Sequence, residues 1–164
     1  MSRLLAIDPG NTESGWVLID TDACQPLDFG KDANNTLLDY LRNDRLDEDS
    51  VVIEMVASYG MAVGKDVFET CVWIGRFSES LDGRTIPELV YRRPVKLHHC
   101  HSAKAKDSNI RQALVDRFAS GQPNYGKGTK AQPGWFYGFN ADIWQAYALA
   151  VYAADTQLDE GETQ

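Results

Sequence analysis

Residues 3–20 read RLLAIDPGNTESGWVLID, and their pattern predicts a pair of strands. Arg3 to Asp8 alternates and then runs apolar, which is typical of a buried strand, and Asp-Pro-Gly at 8–10 ends it with turn-forming residues. Ser14 to Asp20 predicts a second strand. A weaker third strand around Pro26 to Gly30 follows a polar turn, so the front of the chain is predicted to be an antiparallel meander.

The rest of the chain alternates between strand and helix patterns. Val51 to Val56 (VVIEMV) predicts an apolar strand that only Glu54 interrupts. Ser120 to Gly138 is rich in Gly, Pro, Lys and aromatic residues, which predicts a long exposed loop. The aromatic residues Trp135, Phe136, Tyr137 and Phe139 are predicted to anchor this loop against the last helix, with stacking on DNA as the alternative. The other predicted elements are helices at 35–43 and 65–80, a strand at 89–98 interrupted by Pro94, a helix at 107–119 capped by Asp107 or Ser108, and a last helix at about 140–156.

Length and composition are those of one globular domain. The chain has 164 residues, of which 43% are hydrophobic and 24% charged, which excludes a disordered, collagen-like or coiled-coil protein. We expect the domain to span residues 1–156 and the acidic residues 157–164 to form a disordered tail. The longest apolar run, Tyr147 to Ala154, is far shorter than the ~20 residues that cross a bilayer. Together with cysteines that lack CxxC spacing, this predicts a cytoplasmic protein with reduced thiols and no membrane association.

Charge is unevenly distributed along the chain. The formal net charge is −8, which by itself disfavours a nucleic-acid partner because Lys and Arg are needed to neutralise phosphates. Residues 92–130, however, contain nine basic and two acidic residues, a local charge of +7. A basic block on an acidic protein can bind a polyanion in one orientation, although a solvated basic loop has the same charge pattern.

Two acidic residues lie where apolar strands give little structural reason for them. Asp8 ends the first strand and Glu54 interrupts the fourth, and an ionised carboxylate buried in such a place needs a partner or a cation. Asp142 lies in the first turn of the last helix, where the helix dipole alone favours an anion. If the three side chains converge, their oxygen atoms form a site suited to Mg²⁺ or Mn²⁺. The reaction class that follows is phosphodiester hydrolysis.

Four motifs, in this order, resemble the RuvC-type Holliday junction resolvases of the RNase H-like superfamily. They are Ile7-Asp8-Pro9-Gly10 followed by Ser14-Gly15-Trp16 and Asp20, then Val52-Ile53-Glu54, then Val95-Lys96 with Ala105-Lys106-Asp107, and finally Asp142 to Ala150 (DIWQAYALA). The stretches 53–77 and 105–116, together with Gly128-Thr129-Lys130 and Pro133-Gly134, resemble the bacteriophage-type branch in particular. The resemblance extends over most of the chain.

This resemblance implies the α/β architecture of the RNase H-like fold. That fold is a mixed five-stranded sheet, three antiparallel strands and then two parallel ones, with helices on both faces. The implied activity is Mg²⁺-dependent resolution of four-way junctions and other branched DNA by symmetric phosphodiester cleavage, with Mn²⁺ able to substitute and no nucleotide cofactor. Asp8 would bridge two metal ions, with Glu54 holding one and Asp142 the other. One ion would activate a water while the other stabilises the departing 3′ oxygen.

The sequence departs from the family pattern at Gln145. In the family, the closing helix begins with paired acids, or a histidine and an acid, three residues apart, and the second member falls on Gln145. A neutral amide cannot serve as an anionic ligand. Asp142 must then bind the metal without the second acid of the pair, unless another ligand such as Asp107 compensates.

The resemblance also places the basic block against DNA. Junction recognition depends mainly on shape, so phosphate contacts are expected in preference to base readout. Tyr59, in a Gly-flanked loop after Glu54, is a candidate for stacking on an unpaired base, with a structural role as the alternative. Lys106 is a candidate for neutralising charge on the reacting phosphate, with a backbone contact as its alternative. The other expected phosphate contacts are Arg92, Arg93, Lys96, Lys104, Lys127 and Lys130.

A four-way junction needs two matching cuts, so a homodimer with two-fold symmetry is expected. The predicted helix 65–80 carries apolar residues on a wide arc, and Trp73 falls among its polar residues. A large aromatic residue in that position indicates a partner surface, although a covering loop would also explain it. The predicted interface comprises Val67, Cys71, Trp73 and Ile74.

Three other functions are compatible with these residues. The scaffold also resembles the RuvX-like RNA-processing nucleases, in which RNA replaces the junction. Residues 8–12 resemble the first phosphate loop of the actin and sugar-kinase group, but the chain is too short for the two lobes that those proteins close around ATP. Gln145 favours a catalytically silent protein that binds branched DNA.

The cluster His98-His99-Cys100-His101 suggests a zinc site. Neighbouring residues of a strand point to opposite faces, and no second ligand pair is present at standard spacing. The sequence therefore disfavours zinc.

Overall fold

A mixed five-stranded sheet forms the centre of the structure, a computed structural model that describes residues 1–162. Its strands are β1 (Arg3–Asp8), β2 (Glu13–Asp20), β3 (Pro26–Ala33), β4 (Ser50–Met55) and β5 (Glu88–Tyr91). The strand order is β3-β2-β1-β4-β5; β1, β2 and β3 pair antiparallel, while β4 pairs parallel with both β1 and β5. The predicted fold class is confirmed.

Helices cover both faces of this sheet. The described residues form α1 (Asn34–Arg42), α2 (Lys65–Ser80), α3 (Arg92–Cys100), α4 (Asp107–Phe118) and α5 (Ala141–Glu162). Alternate residues of β1 enter two separate cores: Leu5 and Ile7 pack with α1 and α2, whereas Leu4 and Ala6 pack with α5 and its neighbours. This alternation follows from the two-residue period of a strand. None of the described helices has the length and hydrophobicity that a bilayer-spanning segment needs.

The last helix carries much of one core. From Ile143 to Val151 its residues are buried apart from Gln145. The Tyr147 hydroxyl donates to the carbonyl of Cys24 at 2.8 Å and accepts from Trp135 Nε1 at 3.1 Å. Phe136, from the long loop, is fully buried against the Tyr147 ring. The predicted anchoring of this loop by its aromatic residues is therefore confirmed.

The end of α5 lies later than predicted. The helix continues through Glu162 instead of stopping near Thr156. Residues 157–162 are therefore helical, in contrast to the disordered tail expected from residue 157. Residues 163–164 lie outside the described part of the chain.

The predicted strand at 89–98 is wrong beyond Tyr91. β5 ends at Tyr91, and α3 begins at Arg92. Pro94 is the third residue of this helix, where the backbone N–H has no intrahelical acceptor, so a proline there costs no hydrogen bond. The proline thus belongs to the start of a helix, and the basic residues around it leave the sheet.

The start of α4 also differs in detail. Lys106 occupies the N-cap position, and its backbone N–H donates to Asn109 Oδ1 at 2.9 Å. The predicted caps, Asp107 and Ser108, are already inside the helix. The Asp107 carboxylate is consequently available for a contact outside its own helix.

The histidine cluster lies at the C-terminal end of α3, so the strand geometry assumed for it is wrong. His98 Nε2 lies 2.6 Å from Asp155 Oδ2, and His99 Nε2 lies 2.8 Å from the carbonyl oxygen of Ala148. Both partners belong to α5. These two imidazoles therefore join α3 to α5.

We expect His99 to make folding pH-dependent. Burial lowers the pKa of His99 to about 4 from its usual 6.5, although the Ala148 hydrogen bond raises it in part. The unfolded chain thus binds this proton more tightly, so the stability is fully present above pH 6.5 and is lost as the pH falls towards 4. The loss from this residue is up to about 3 kcal/mol in the free energy of unfolding.

Urea unfolding at a series of pH values measures this effect. His99→Gln should flatten the dependence between pH 6.5 and 4. His101→Asn, at an exposed residue in the left-handed region (φ 58°), should keep the wild-type slope. An unchanged slope in His99→Gln would contradict the assignment.

Candidate active site

Asp8 and Glu54 end adjacent parallel strands on the same face of the sheet. β1 and β4 pair in parallel up to Ile7 and Ile53, one residue before the two acids. Asp8 follows the alternation of Leu4 and Ala6, and Glu54 that of Val52, all of which pack in the core beneath α5. Because side chains alternate along a strand, both carboxylates point towards the α5 face.

The two carboxyl groups strongly affect each other. Burial raises the pKa of Asp8 well above its usual range, and the negative charge of Glu54 and a hydrogen bond between the two groups raise it further. The charge of Asp142 acts in the same direction, while Arg92 partly opposes it. Like charges held this close need a proton or a cation between them.

Gly15 brings the third carboxylate to this edge. Gly15 is the antiparallel partner of Asp8, and a Cβ atom on it would lie 2.8 Å from the Cβ and the carbonyl group of Asp142. Because glycine has no side chain, the first turn of α5 rests directly on β2. The start of α5, which carries Asp142, therefore lies against β2 opposite Asp8.

A buried polar pair holds the loop that follows Asp8. Ser14 and Asn34 are each 1% exposed, and the Ser14 hydroxyl donates to Asn34 Oδ1 at 2.6 Å. Asn34 Nδ2 donates to the Gly10 carbonyl at 2.9 Å, and the Gly10 N–H donates to the Ser14 hydroxyl at 3.2 Å. No local pattern in the sequence marks Asn34, because its role arises only where the start of α1 meets the β1–β2 loop.

Two basic side chains already pair with the carboxylates. Lys31 Nζ, from β3, lies 2.6 Å from Asp142 Oδ2. Arg92 Nη1, from the first residue of α3, lies 3.3 Å from Glu54 Oε1. No pattern in the sequence marks Lys31, and the basic block predicts that Arg92 contacts DNA. The Arg92 guanidinium instead lies among the acidic residues because β5 ends one residue before it.

A second side of the site is formed by Arg92, Asp107 and Gln145. Arg92 Nη2 donates to Asp107 Oδ1 and, at 2.8 Å, to Gln145 Oε1. Asp107 and Gln145 also line one cavity between α4 and α5. Asp107, which is a possible compensating ligand on the sequence alone, therefore lies near the cluster, but its carboxylate pairs with an arginine.

Lys31 and Arg92 form ion pairs with Asp142, Glu54 and Asp107. Asp8 forms no ion pair with any of the described residues. Within the same part of the chain, no group of three or more His, Cys, Asp or Glu side chains is already arranged to hold a metal ion. The chemistry of the donors nevertheless suits a hard divalent cation: Asp8 is partly buried, and the charges of Glu54 and Asp142 both act on it. Carboxylate oxygens of this kind fit Mg²⁺ or Mn²⁺.

Three of the predicted DNA-contacting residues lie beside the carboxylates. Tyr59, Arg93 and Lys96 line a cavity that Arg92 also borders. Tyr59 and Arg92 border the neighbouring cavity as well, which Asp8 and Glu54 line. Tyr59 is 64% exposed and has a left-handed backbone with a φ of 50°. A polar and an aromatic surface thus continue directly from the acidic cluster.

Among the described residues, the other predicted basic contacts form no ion pair with the acidic cluster. Lys104, Lys106 and Lys130 are exposed, and Lys127 is partly buried. The ion pairs that the described residues form with the cluster come from Lys31 and Arg92. The predicted catalytic role of Lys106 stays a prediction.

The predicted dimer interface on α2 needs one correction. Ile74 is 3% exposed and packs in the core of its own chain with Phe77, so it is not a surface residue. Trp73 is partly covered, with the Arg76 guanidinium 4.3 Å above its ring. Phe68 and Val72 are each 62% exposed instead. The exposed apolar side of α2 is therefore rotated relative to the prediction.

No family model and no curated protein matches the chain. Among solved structures, it is similar to RuvC of Thermus thermophilus, with a TM-score of 0.68, 12% identity and 96% of each chain covered. It is also similar to T. thermophilus RuvC in complex with a Holliday junction substrate, with a TM-score of 0.63, 11% identity and the same coverage. At this identity the comparisons establish that the chain has a RuvC-like fold.

We predict that Gly15→Ala displaces the start of α5. The added methyl group would meet Asp142 backbone atoms at 2.8 Å, so Asp142 must move away from Asp8. The free energy of unfolding should fall by about 1–3 kcal/mol, and Mn²⁺ affinity should fall as well. Thermal unfolding and Mn²⁺ titration measure the two effects.

Gly75→Ala is the matched control for this substitution. A Cβ on Gly75 has nothing within 4 Å, and alanine at this exposed helical position should stabilise the protein by up to about 1 kcal/mol. Wild-type stability and Mn²⁺ affinity in Gly15→Ala would refute the packing role of Gly15.

Proposed function

We propose that this protein is a Mg²⁺-dependent, structure-selective endonuclease that resolves four-way junctions and other branched DNA by symmetric phosphodiester cleavage. The convergence of Asp8, Glu54 and Asp142 at one edge of a RuvC-like sheet carries this proposal. A similar solved structure is described as a complex with a Holliday junction substrate, which supports the choice of DNA. Mn²⁺ is proposed to replace Mg²⁺, and the resemblance favours the bacteriophage-type branch, acting in the host cytoplasm.

The carboxylates and the residues around them have different proposed roles in binding the cation and the DNA. Asp8 and Glu54 hold the divalent cation, with Asp142 beside them, and the bound cation supplies positive charge to a water and to the phosphate. Arg93 and Lys96 contact neighbouring backbone phosphates, which position the DNA without reading its bases. Tyr59 stacks on an unpaired base at the crossover, where such a contact is worth about 1–3 kcal/mol.

A catalytically silent branched-DNA-binding protein is the second candidate. One observation favours it: the position of the second family acid is Gln145, whose amide oxygen accepts from Arg92. The cleavage assay with labelled four-way DNA junction, structured RNA and increasing Mg²⁺ separates the candidates. Binding without nicking at every Mg²⁺ concentration would favour the silent protein, and preferential cutting of RNA would favour an RNA-processing nuclease.

We predict that Asp8→Asn and Glu54→Gln each lower junction cleavage by more than about 100-fold, since even groups that only support metal ligands have effects of that size. Junction binding in Ca²⁺ should survive in both variants, because the carboxylates hold the cation and not the DNA. Gel-based cleavage and binding assays measure the two properties. Asp116→Asn, an exposed acid on α4, is the control that should keep wild-type cleavage. Loss of binding in both site variants would mean that the acids are structural.

We further propose that the active form is a homodimer joined through α2. Phe68 and Val72 lie at positions i and i+4 of this helix, so they form one exposed apolar line. Val67 and Cys71 flank the line and are partly buried. Two copies related by two-fold symmetry would present two identical sites, which symmetric cleavage requires.

A Phe68→Glu variant tests this interface. We expect its dimer dissociation constant to rise at least about tenfold, a loss of about 1.4 kcal/mol, because a carboxylate replaces an apolar contact. Sedimentation measures the constant, and the junction assay should show single nicks in place of paired cuts. Phe68→Leu should remain dimeric. A dimer that persists in both Phe68→Glu and Trp73→Glu would exclude α2 as the interface.

A further inference from the structure

The Arg92 side chain is fixed by partners within the protein, in contrast to a surface arginine that is free to contact DNA. Its side chain is 29% exposed, and its guanidinium bonds Glu54, Asp107 and Gln145, which belong to β4, α4 and α5 respectively. Arg93, the next residue, is exposed and lines the neighbouring cavity. Partners from three elements fix the Arg92 guanidinium at the side of Glu54 that faces Gln145.

The partners of Arg92 also match the departure at position 145. The family pattern places an anion there, whereas this chain has a neutral amide whose oxygen accepts from Arg92 at 2.8 Å. A neutral acceptor accommodates a guanidinium without adding a charge. The Gln145 amide therefore lies where the family pattern has an acid. The Arg92 guanidinium lies where that acid would hold a cation.

The charges of the site point in the same direction. Five carboxylates, those of Asp8, Glu13, Glu54, Asp107 and Asp142, surround two basic groups, Lys31 and Arg92. In their ionised forms these groups carry a net charge of −3, which one divalent cation reduces to −1. A second divalent cation would give this partly buried site a net positive charge before substrate binds, which is costly.

We propose that the Arg92 guanidinium replaces a second metal ion, so that the site binds a single divalent cation, at Asp8 and Glu54. This inference rests on the proposed metal-dependent nuclease function and defines its metal content. Arg92 supplies a permanent positive charge next to the cation, where the phosphate of the substrate would bind. Arginine suits this role because its guanidinium stays charged and offers several donors in a fixed plane.

Mn²⁺ binding to the full chain without DNA tests the proposal. Isothermal titration and the electron paramagnetic resonance of bound Mn²⁺ should give one ion per chain for the wild type, and none for Asp8→Asn. Arg92→Gln with Gln145→Glu removes the guanidinium and restores the acid, and this double variant should bind two ions per chain. Arg92→Gln keeps amide donors for its neighbours, and circular dichroism verifies that each variant is folded.

Two single variants test whether the positive charge at position 92 sets the number of bound ions. Arg92→Lys keeps the positive charge and should retain one ion per chain, whereas Arg45→Ala, at an exposed arginine whose ion pair is with Asp39, should bind one ion as the wild type does. If the double variant does not fold, Gln145→Glu alone is used: with Arg92 still present, it should bind one ion. Two ions in that variant would refute the proposal.

The proposal also fails if the wild type binds two ions, or if the folded double variant binds one. These results are distinct from failure of the proposed function. A wild type that cuts junctions and binds two ions keeps the nuclease and rejects the role of Arg92. A wild type that cuts nothing but changes from one ion to two in the double variant keeps the role of Arg92 and rejects the nuclease.

Discussion

Carboxylates crowded at the end of buried strands must be compensated by positive charge, and the arrangement of this site follows from that requirement. Asp8 and Glu54 lie side by side because β1 and β4 are parallel and in register. Glu54 and Asp142 each have a basic partner, Arg92 and Lys31. Asp8 has no such partner among the described residues, and its pKa is raised. The remaining negative charge is the reason for proposing a divalent cation at this site.

Close packing of α5 on the sheet makes this charge cluster possible. Gly15 lets the first turn of α5 touch β2 opposite Asp8, and the buried Tyr147 ties the same helix to the loops at the other side. A helix held at both places cannot move Asp142 away from Asp8 without losing buried contacts. The electrostatics of the site thus depend on the core that α5 forms.

Several elements followed directly from local patterns, and the exceptions have physical causes. The alternation in β1 and the apolar run of β4 indicated buried strands, and the spacing in α2 indicated a helix. The pattern at 89–98 predicts a strand beyond Tyr91, whereas α3 begins at Arg92. The short apolar stretches there fit either period, and a proline is compatible both with a strand interruption and with the first turn of a helix. Ile74 was placed on the surface because helical spacing gives the width of an apolar arc but not which part of it faces the core.

The amino-acid order by its local patterns indicated the antiparallel strands at the front of the chain and the acids at or near the strand ends, because strand periodicity and the cost of burying a carboxylate are local properties. The mixed five-stranded sheet was implied by the family resemblance. The sequence also marked Gln145 as a departure from the family pattern. Only the tertiary structure decided which cations meet those acids: Lys31 comes from β3 and Arg92 from the start of α3, far from their partners along the chain. Contacts between distant segments depend on how helices pack across the sheet, and no local pattern encodes that packing.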